Sequence, residues 1–176
     1  IMIEIRPVEM KDANELLDID IRNRALFESY SAADRKDSDY QLYNYRKIID
    51  KHLQDMTEDK GYHYVIVHKE DNKVIGTIDL FAIVRHNIQS CMMGYALDVA
   101  YNGKGITTLA AKEVIRIAFN ELGFHRVEAG VQPTNIGSVR VLEKAGMIRE
   151  GLNRSNVRIN GEWKDHYLYA IVNENY

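Results

Sequence analysis

A glycine-rich turn between a short apolar segment and an amphipathic segment carries the residues best suited to bind an anion. Gly103 and Gly105 lack a Cβ, so the backbone can turn sharply and a ligand can approach its N–H groups closely. The predicted helix after the turn begins with unpaired N–H groups and the positive end of its dipole. Lys104 adds a cation, and no acidic residue occurs between Asp98 and Glu113. The turn therefore predicts a site for a phosphate or pyrophosphate group.

The turn has other possible interpretations. The two glycines could simply close a strand–helix connection. A nucleoside-triphosphate loop does not fit, because that motif needs four residues between its first glycine and Gly-Lys-Ser/Thr, whereas Lys104 alone separates Gly103 from Gly105. A dinucleotide fingerprint does not fit either, because its third glycine would fall at Thr108 and no early β-α-β unit surrounds it. The charge pattern favours an anion site of a different type.

Asn135 and Ser138 form a second polar constellation, at the predicted start of a later helix. Asn135 is a good N-cap, and Ser138 falls at the third helical position, so both side chains lie beside unpaired N–H groups. Pure capping is one interpretation of this pair. Placement of both side chains next to a bound ligand is the other.

The remaining chain predicts elements that position these residues in a mixed α/β domain. Apolar, β-rich runs predict strands over residues 3–6, 62–68, 74–84, 90–98, 126–131, 154–159 and 162–172. Apolar residues at helical spacing predict helices over residues 10–23, 39–56 with Asp39 as the cap, 106–122 and 135–145, and residues 24–38 are predicted as a loop. The order β-α-α-β-β-β-α-β-α-β-β indicates a mainly antiparallel central sheet flanked by helices.

The segment from Gly94 to Asp98, followed by Asn102-Gly-Lys-Gly-Ile-Thr-Thr108, resembles motif A of the GNAT superfamily of N-acetyltransferases. In that motif (Gln/Arg)-x-x-Gly-x-(Gly/Ala) opens a helix and holds the pyrophosphate of acetyl-coenzyme A. Asn102 and Thr107 depart from it, and the β-branched Thr107 crowds the turn, although its hydroxyl could donate to a phosphate oxygen. The element order also matches the GNAT fold over nearly the whole chain.

The resemblance implies that acetyl-coenzyme A is the cosubstrate and that its pantetheine arm pairs with the backbone around Leu97 and Val99. The segment from Asn135 to Gly146 resembles the family motif Asn-x-x-Ser-x-Arg-Val-Leu-Glu-Lys-x-Gly, which implies that Asn135 bonds the pantetheine and Ser138 lies near the thioester sulfur. The implied cofactor-binding residues are Leu97, Val99, Gly103, Lys104, Gly105, Ile106, Thr107, Thr108 and Asn135.

The acceptor is suggested by a weaker likeness. Ser138, together with the tail from Asn160 to His166, is similar to the ribosomal-protein-alanine N-acetyltransferase branch, which implies a protein N-terminal α-amine as acceptor. Acidic residues in the predicted loop could attract its positive charge: Glu28, Asp34, Asp37 and Asp39. A small-molecule amine remains an alternative, as does a non-catalytic acyl-coenzyme A-binding module.

Acetyl transfer to an amine needs a neutral amine, an aligned thioester, a donor to the developing oxyanion and a proton for the departing thiolate. By the resemblance, a backbone N–H near Leu97 or Val99 holds the thioester oxygen. The Ser138 hydroxyl is the predicted proton donor to sulfur, with Tyr95 or His166 as alternatives.

The general base has several candidates. Met92 occupies the strand position where related proteins often carry glutamate. Glu128 is the predicted catalytic base, against the alternative of an exposed structural glutamate, and Asp165 and His166 are further candidates.

Bulk properties limit the remaining possibilities. The 176 residues are 45% hydrophobic, which predicts one domain over residues 1–176, as a monomer or a homodimer. A net charge of −3 argues against direct nucleic-acid binding. The one cysteine, Cys91, indicates a reducing compartment, and the six histidines show no metal-ligand spacing. With no long apolar run or leader pattern, a cytoplasmic protein without membrane association is expected.

Overall fold

The computed structural model describes residues 2–175, which form a seven-stranded sheet with helices on both faces. The strands are β1 Ile3–Pro7, β2 Tyr62–His68, β3 Lys73–Val84, β4 Ser90–Leu97, β5 Arg126–Val131, β6 Ile148–Ile159 and β7 Glu162–Val172. The helices are α1 Ala13–Arg22, α2 Arg24–Glu28, α3 Leu42–Thr57, α4 Ile106–Asn120 and α5 Ile136–Lys144. This arrangement confirms the predicted mixed α/β fold.

The sheet has the order β1-β2-β3-β4-β5-β7-β6, and its neighbouring strands are antiparallel except for the parallel pair β4 and β5. That parallel pairing is short, because it joins Ser90–Met92 to Arg126–Glu128 and goes no further. Both strands continue beyond Met92 and Glu128 without pairing to each other. They therefore leave a wedge in the middle of the sheet.

Two hydrophobic cores lie on opposite faces of the sheet, because side chains of successive strand residues alternate between the faces. In β2, Tyr64 and Ile66 belong to the core beneath α4, whereas Val65 and Val67 belong to the core beneath α1 and α3. The sheet thus separates two layers of helices, and the wedge connects the two sides.

Three local features differ from prediction. Residues 24–28 form α2, which is too short to show a helical period. Strand β6 begins at Ile148 and not at residue 154. The sequence did not indicate its first half, because these exposed residues lack the apolar alternation that marks a half-buried strand. Asp39 does not cap α3: it accepts a 2.7 Å hydrogen bond from the N–H of Lys36, and α3 begins at Leu42.

Within residues 2–175, no helix combines the length and the hydropathy needed to cross a membrane.

Candidate active site

The glycine turn before α4 has the backbone conformation that the sequence predicted. Gly103 and Gly105 have φ values of +79° and +73°, in the left-handed region that favours glycine. A Cβ placed on either residue would meet nothing within 4 Å, so the space above the turn is open. Gly105 is the N-cap of α4, whose first turn contains no acidic residue. The turn therefore offers N–H groups to an approaching anion.

A cavity of about 570 Å³ extends from this turn, past the wedge, to the start of α5. Its lining contains no carboxylate side chain, but it includes Arg140 and Lys144, which lie one helical turn apart on α5. Neither cation is paired with an acid among the described residues. This first cavity therefore has the charge that suits an anionic ligand.

Most of the predicted cofactor-binding residues line the first cavity: Leu97, Gly103, Gly105, Thr107, Thr108 and Asn135, together with Ser138. Ile106 does not line it, because its side chain is 1% exposed in the core beneath α4. The Lys104 side chain is not part of the lining, and its Nζ lies 5.5 Å from the centre of the Tyr101 ring. The backbone N–H groups and the glycines, more than these two side chains, form the turn's binding surface.

Val99, which was predicted to pair with the pantetheine, has partners for its backbone groups within the protein. Its N–H donates a 3.0 Å hydrogen bond to Asn23 Oδ1, and its carbonyl accepts one of 3.1 Å from the N–H of Asn102. Both backbone groups are thus engaged, and Val99 lies outside the first cavity. Asn23 belongs to a distant part of the chain, so local sequence could not indicate this hydrogen bond.

Leu97, in contrast, has its backbone directed into the wedge. Asp98 donates its N–H to the carbonyl of Ile75 in β3, and backbone groups in an antiparallel ladder alternate between the two edges of a strand. The N–H and carbonyl of Leu97 and Tyr95 therefore point away from β3, toward the gap between β4 and β5. An extended ligand in the wedge could pair with them as an additional strand does.

Ser138 and Tyr95 form a hydroxyl pair at the wedge. The two hydroxyl oxygens are 2.6 Å apart, and Ser138 N–H donates to Asn135 Oδ1 at 3.3 Å, which confirms Asn135 as the N-cap of α5. Burial raises the pKa of Tyr95 to about 12, so its phenol stays protonated at neutral pH. The pair can therefore supply a proton to a group inside the first cavity.

A second cavity, also about 570 Å³, lies on the other face of the sheet, beside α1 and α3. Many of its side chains are aromatic or aliphatic, including Phe27, Tyr40 and Phe81. The two cavities share their lining at the wedge: Tyr30, Met93, Gly94, Tyr95, Ala96, Gly130 and His166. Two groups that enter from opposite faces of the sheet can therefore meet there.

The second cavity holds a histidine pair and a carboxylate. His63 Nδ1 lies 2.7 Å from Asp79 Oδ1, and the ring of His52 stacks on that of His63 with 3.6 Å between centroids. Burial lowers the pKa of His52 to about 4, and the neighbouring His63 acts in the same direction. His52 is therefore neutral at pH 7.

Most of the acidic residues that were predicted to form a rim on the loop are in ion pairs with arginines. Arg24 contacts Glu28 at 3.0 Å and Asp37 at 2.6 Å, and Arg158 contacts Asp34 at 3.2 Å. These ion pairs tie the loop to α2 and to the β6–β7 hairpin.

Two of the predicted base candidates lie outside both cavities. Glu128 accepts a 2.7 Å hydrogen bond from Arg126, and Asp165 accepts one of 2.7 Å from the N–H of Ser155. Neither carboxylate lines a cavity. His166, the remaining candidate, lines both.

Comparison with known proteins identifies the family. Residues 3–148 match the model of the acetyltransferase (GNAT) domain. The chain belongs to the GNAT acetyltransferase family. It is 47% identical over 171 residues to the probable N-acetyltransferase YjcK of Bacillus subtilis strain 168, covering 97% of this chain and 94% of that protein. This GNAT protein is accordingly an N-acetyltransferase.

Solved structures resemble this acetyltransferase over its full length. The ribosomal-protein-S5-alanine acetyltransferase of Vibrio fischeri superposes with a TM-score of 0.93 at 27% identity, covering 99% of this chain and 95% of that one. Mycobacterium smegmatis RimJ in complex with CoA-disulfide gives 0.93 at 26% identity, covering 98% and 83%.

Sequence reasoning missed several residues that line the cavities of this GNAT acetyltransferase. Arg140 and Lys144 could have been found from their i, i+4 spacing on the helix that begins beside Ser138. His63 and Asp79 could not, because their contact depends on the register of β2 against β3.

Cys91 is buried in the core, and burial raises the pKa of its thiol to about 12. Residues 2–175 contain no cluster of three or more metal-ligating side chains.

Proposed function

We propose that this acetyltransferase transfers the acetyl group of acetyl-coenzyme A to the α-amine of a protein N-terminus. The observation that carries the proposal is the meeting of two cavities at the wedge, one suited to an anionic, extended cosubstrate and one to an acceptor. The meeting point lies between Gly94 and Gly130, which both line the two cavities.

The first cavity is the proposed site for acetyl-coenzyme A. The N–H groups after Gly103 and Gly105 hold the pyrophosphate, and Arg140 and Lys144 supply further positive charge for phosphate groups. The carbonyl of Leu97 accepts a hydrogen bond from a pantetheine amide in the wedge. The complex of RimJ with CoA-disulfide supports this assignment, because that relative shares the fold at 26% identity.

Chemistry at the wedge needs charge stabilisation and proton transfer. The Leu97 N–H, which points into the gap, donates to the developing oxyanion of the thioester. The Ser138–Tyr95 pair returns a proton to the departing sulfur, because one hydroxyl can donate to sulfur and be replenished by the other. Ser138 therefore acts as the general acid that protonates the leaving thiolate.

The second cavity is the proposed acceptor site. Its volume of about 570 Å³ lies within the range of small-molecule sites and can admit the first residues of a peptide. The likeness to the ribosomal-protein-S5-alanine acetyltransferase supports an N-terminal alanine as the acceptor residue. We place this reaction in the cytoplasm, where ribosomal proteins are made, in a single domain over residues 1–176.

A panel of acceptors tests the proposal. The protein is incubated with acetyl-coenzyme A and with peptides that carry free Ala, Ser or Met N-termini, with spermidine and aminoglycosides alongside, and products are measured by mass spectrometry. Acetylation of the Ala peptide at its α-amine is expected. Acetylation of the small amines alone would overturn the protein-terminus assignment. Tight binding of acetyl-coenzyme A without any product would support a binding module instead.

A further inference from the structure

His166 occupies the junction between the two cavities. It lies on β7, is 8% exposed and lines both cavities. The ring packs over Gly130, where a Cβ would lie 3.9 Å from His166 Cβ and Cδ2. Gly130 follows Glu128, the last β5 residue paired with β4, by two positions, so it flanks the opening of the wedge. The imidazole therefore sits on the acceptor face, at the place where the strands part.

The hydrogen bonds of His166 select one tautomer. Nδ1 lies 3.2 Å from the carbonyl oxygen of Lys164 and 2.9 Å from Asn156 Oδ1. A backbone carbonyl can only accept, so Nδ1 must carry the hydrogen, and in the neutral ring Nε2 then has a free lone pair. No residue of the described chain bonds to that Nε2, and it is not sealed from the cavities, in contrast to the buried Nε2 of His63, which lies 3.5 Å from Asp55 Oδ2.

We infer that His166 is the general base that takes the proton from the acceptor amine, an assignment that rests on the proposed function. It has the arrangement that a base requires: a positioned donor on one nitrogen, an open lone pair on the other, and a location where both substrates arrive. Asp79 lies on β3, where its carboxylate contacts His63, and strands β4 and β5 separate it from His166 on β7.

Other titratable and charged groups line the same cavities as His166 and contribute to the pH dependence of the reaction. They come from β2, β3, β4 and α5, and from α1, α2, α3 and the loop between α2 and α3: Tyr95, Tyr30, Arg140, Lys144, Asp79, His63, Tyr64, His52, Asp20, Glu28, Arg35, Tyr40 and Tyr45. On its own strand the neighbours are Lys164 and Asp165.

The proton balance of the reaction closes with this assignment. His166 Nε2 first takes one proton from the ammonium, which leaves a neutral amine and an imidazolium. The amine nitrogen then forms a bond to the acetyl carbon, the carbon–sulfur bond breaks with its electron pair on sulfur, and the Ser138–Tyr95 pair protonates the thiolate. The acylated nitrogen gives its second proton through water to the Ser138–Tyr95 pair, and His166 releases its proton to water, so one ammonium and one thioester yield one amide, one thiol and one proton.

The substitution His166→Asn tests the assignment, because the Asn amide can still donate to the Lys164 carbonyl while the Nε2 base is lost. The kcat/KM for an Ala-terminated hexapeptide is expected to fall by about 10²-fold at pH 7. The loss should shrink at pH 9, because an α-amine with a pKa near 8 is then already neutral. Added imidazole should restore part of the rate of His166→Ala.

The matched control is His68→Asn, because His68 is equally buried at 7% exposure but lies outside both cavities. It should retain the wild-type rate, and calorimetry should show unchanged acetyl-coenzyme A binding in both His166 variants. A wild-type rate in His166→Asn would overturn the inference, and so would an equal loss at every pH without imidazole rescue. If the wild-type protein acetylates no amine in the panel, the proposed function itself fails.

Discussion

At the scale of single residues, the hydroxyl pair of Ser138 and Tyr95 shows which features of a site can be predicted from local sequence spacing. The motif from Asn135 placed Ser138 at the third position of α5, and the observed cap confirms that placement. The partner hydroxyl belongs to Tyr95, 43 positions away, and only the tertiary fold, in which α5 packs against α4 and β5, brings it within 2.6 Å. Spacing predicts where a side chain lies on its own helix, whereas its partner depends on tertiary structure.

A double-mutant cycle tests the role of this pair. Ser138→Ala is expected to lower kcat by on the order of 10²-fold while acetyl-coenzyme A still binds, because the proton donor to sulfur is removed. Ser138→Cys should recover part of the loss, since it retains a weaker donor. If the hydroxyls act as one relay, Tyr95→Phe combined with Ser138→Ala should be no slower than the slower single variant.

A structural role for Ser138 would give another pattern. Loss of a hydrogen bond that only supports the start of α5 should cost about 0.5–2 kcal/mol of stability, with the rate per folded molecule unchanged. Thermal unfolding measured beside kcat separates the two roles.

At the scale of elements, the turn before α4 was predictable in its conformation and only partly in its contacts. Gly103 and Gly105 adopt the left-handed backbone that their type favours. The side chain of Ile106 follows the apolar period of α4 into the core, so its predicted part in binding depends on its backbone N–H. The hydrogen bond from the Val99 N–H to Asn23, at the start of α2, could not be predicted from local sequence.

Gly105→Ala should weaken acetyl-coenzyme A binding by about tenfold or more, because a Cβ at a left-handed residue strains the turn that presents the N–H groups. Gly123 offers a matched control: its φ is +75°, a Cβ there also meets nothing within 4 Å, and it lies outside both cavities. Each substitution should lower stability by about 1–2 kcal/mol. Calorimetry should find weakened binding for Gly105→Ala alone; equal affinities in the two variants would move the phosphate site elsewhere.

At the scale of the whole molecule, the order of elements was predictable because each long strand and helix has a clear period. The exceptions lack one: α2 is five residues long, and the first half of β6 is exposed on both faces. The acceptor cavity was unpredictable for a different reason. Its histidine pair joins α3 to β2, so His52 and His63 meet only once the helix layer has docked on the sheet.

This docking makes the stability of the fold dependent on pH. His52 has an ordinary pKa of 6.5 and a folded value near 4, lowered first by burial and then by His63. Between these values the unfolded chain binds more protons than the folded one, so the free energy of unfolding falls as the pH is lowered from about 6.5 to about 4. Asp79 and Asp55 oppose the effect, because their charges favour a protonated ring. Above pH 6.5 the contribution of this group is constant.

Replacement of His52 by Gln should remove this titration while keeping a side chain of similar length beside His63. We expect wild type to lose about 2 kcal/mol more than the variant between pH 7 and pH 4.5, a figure reduced from the full shift because the ring is partly exposed. Urea unfolding at the two pH values measures both losses. Parallel losses in the two proteins would mean that His52 is protonated in the fold at little cost, and that the stacked pair does not oppose its charge.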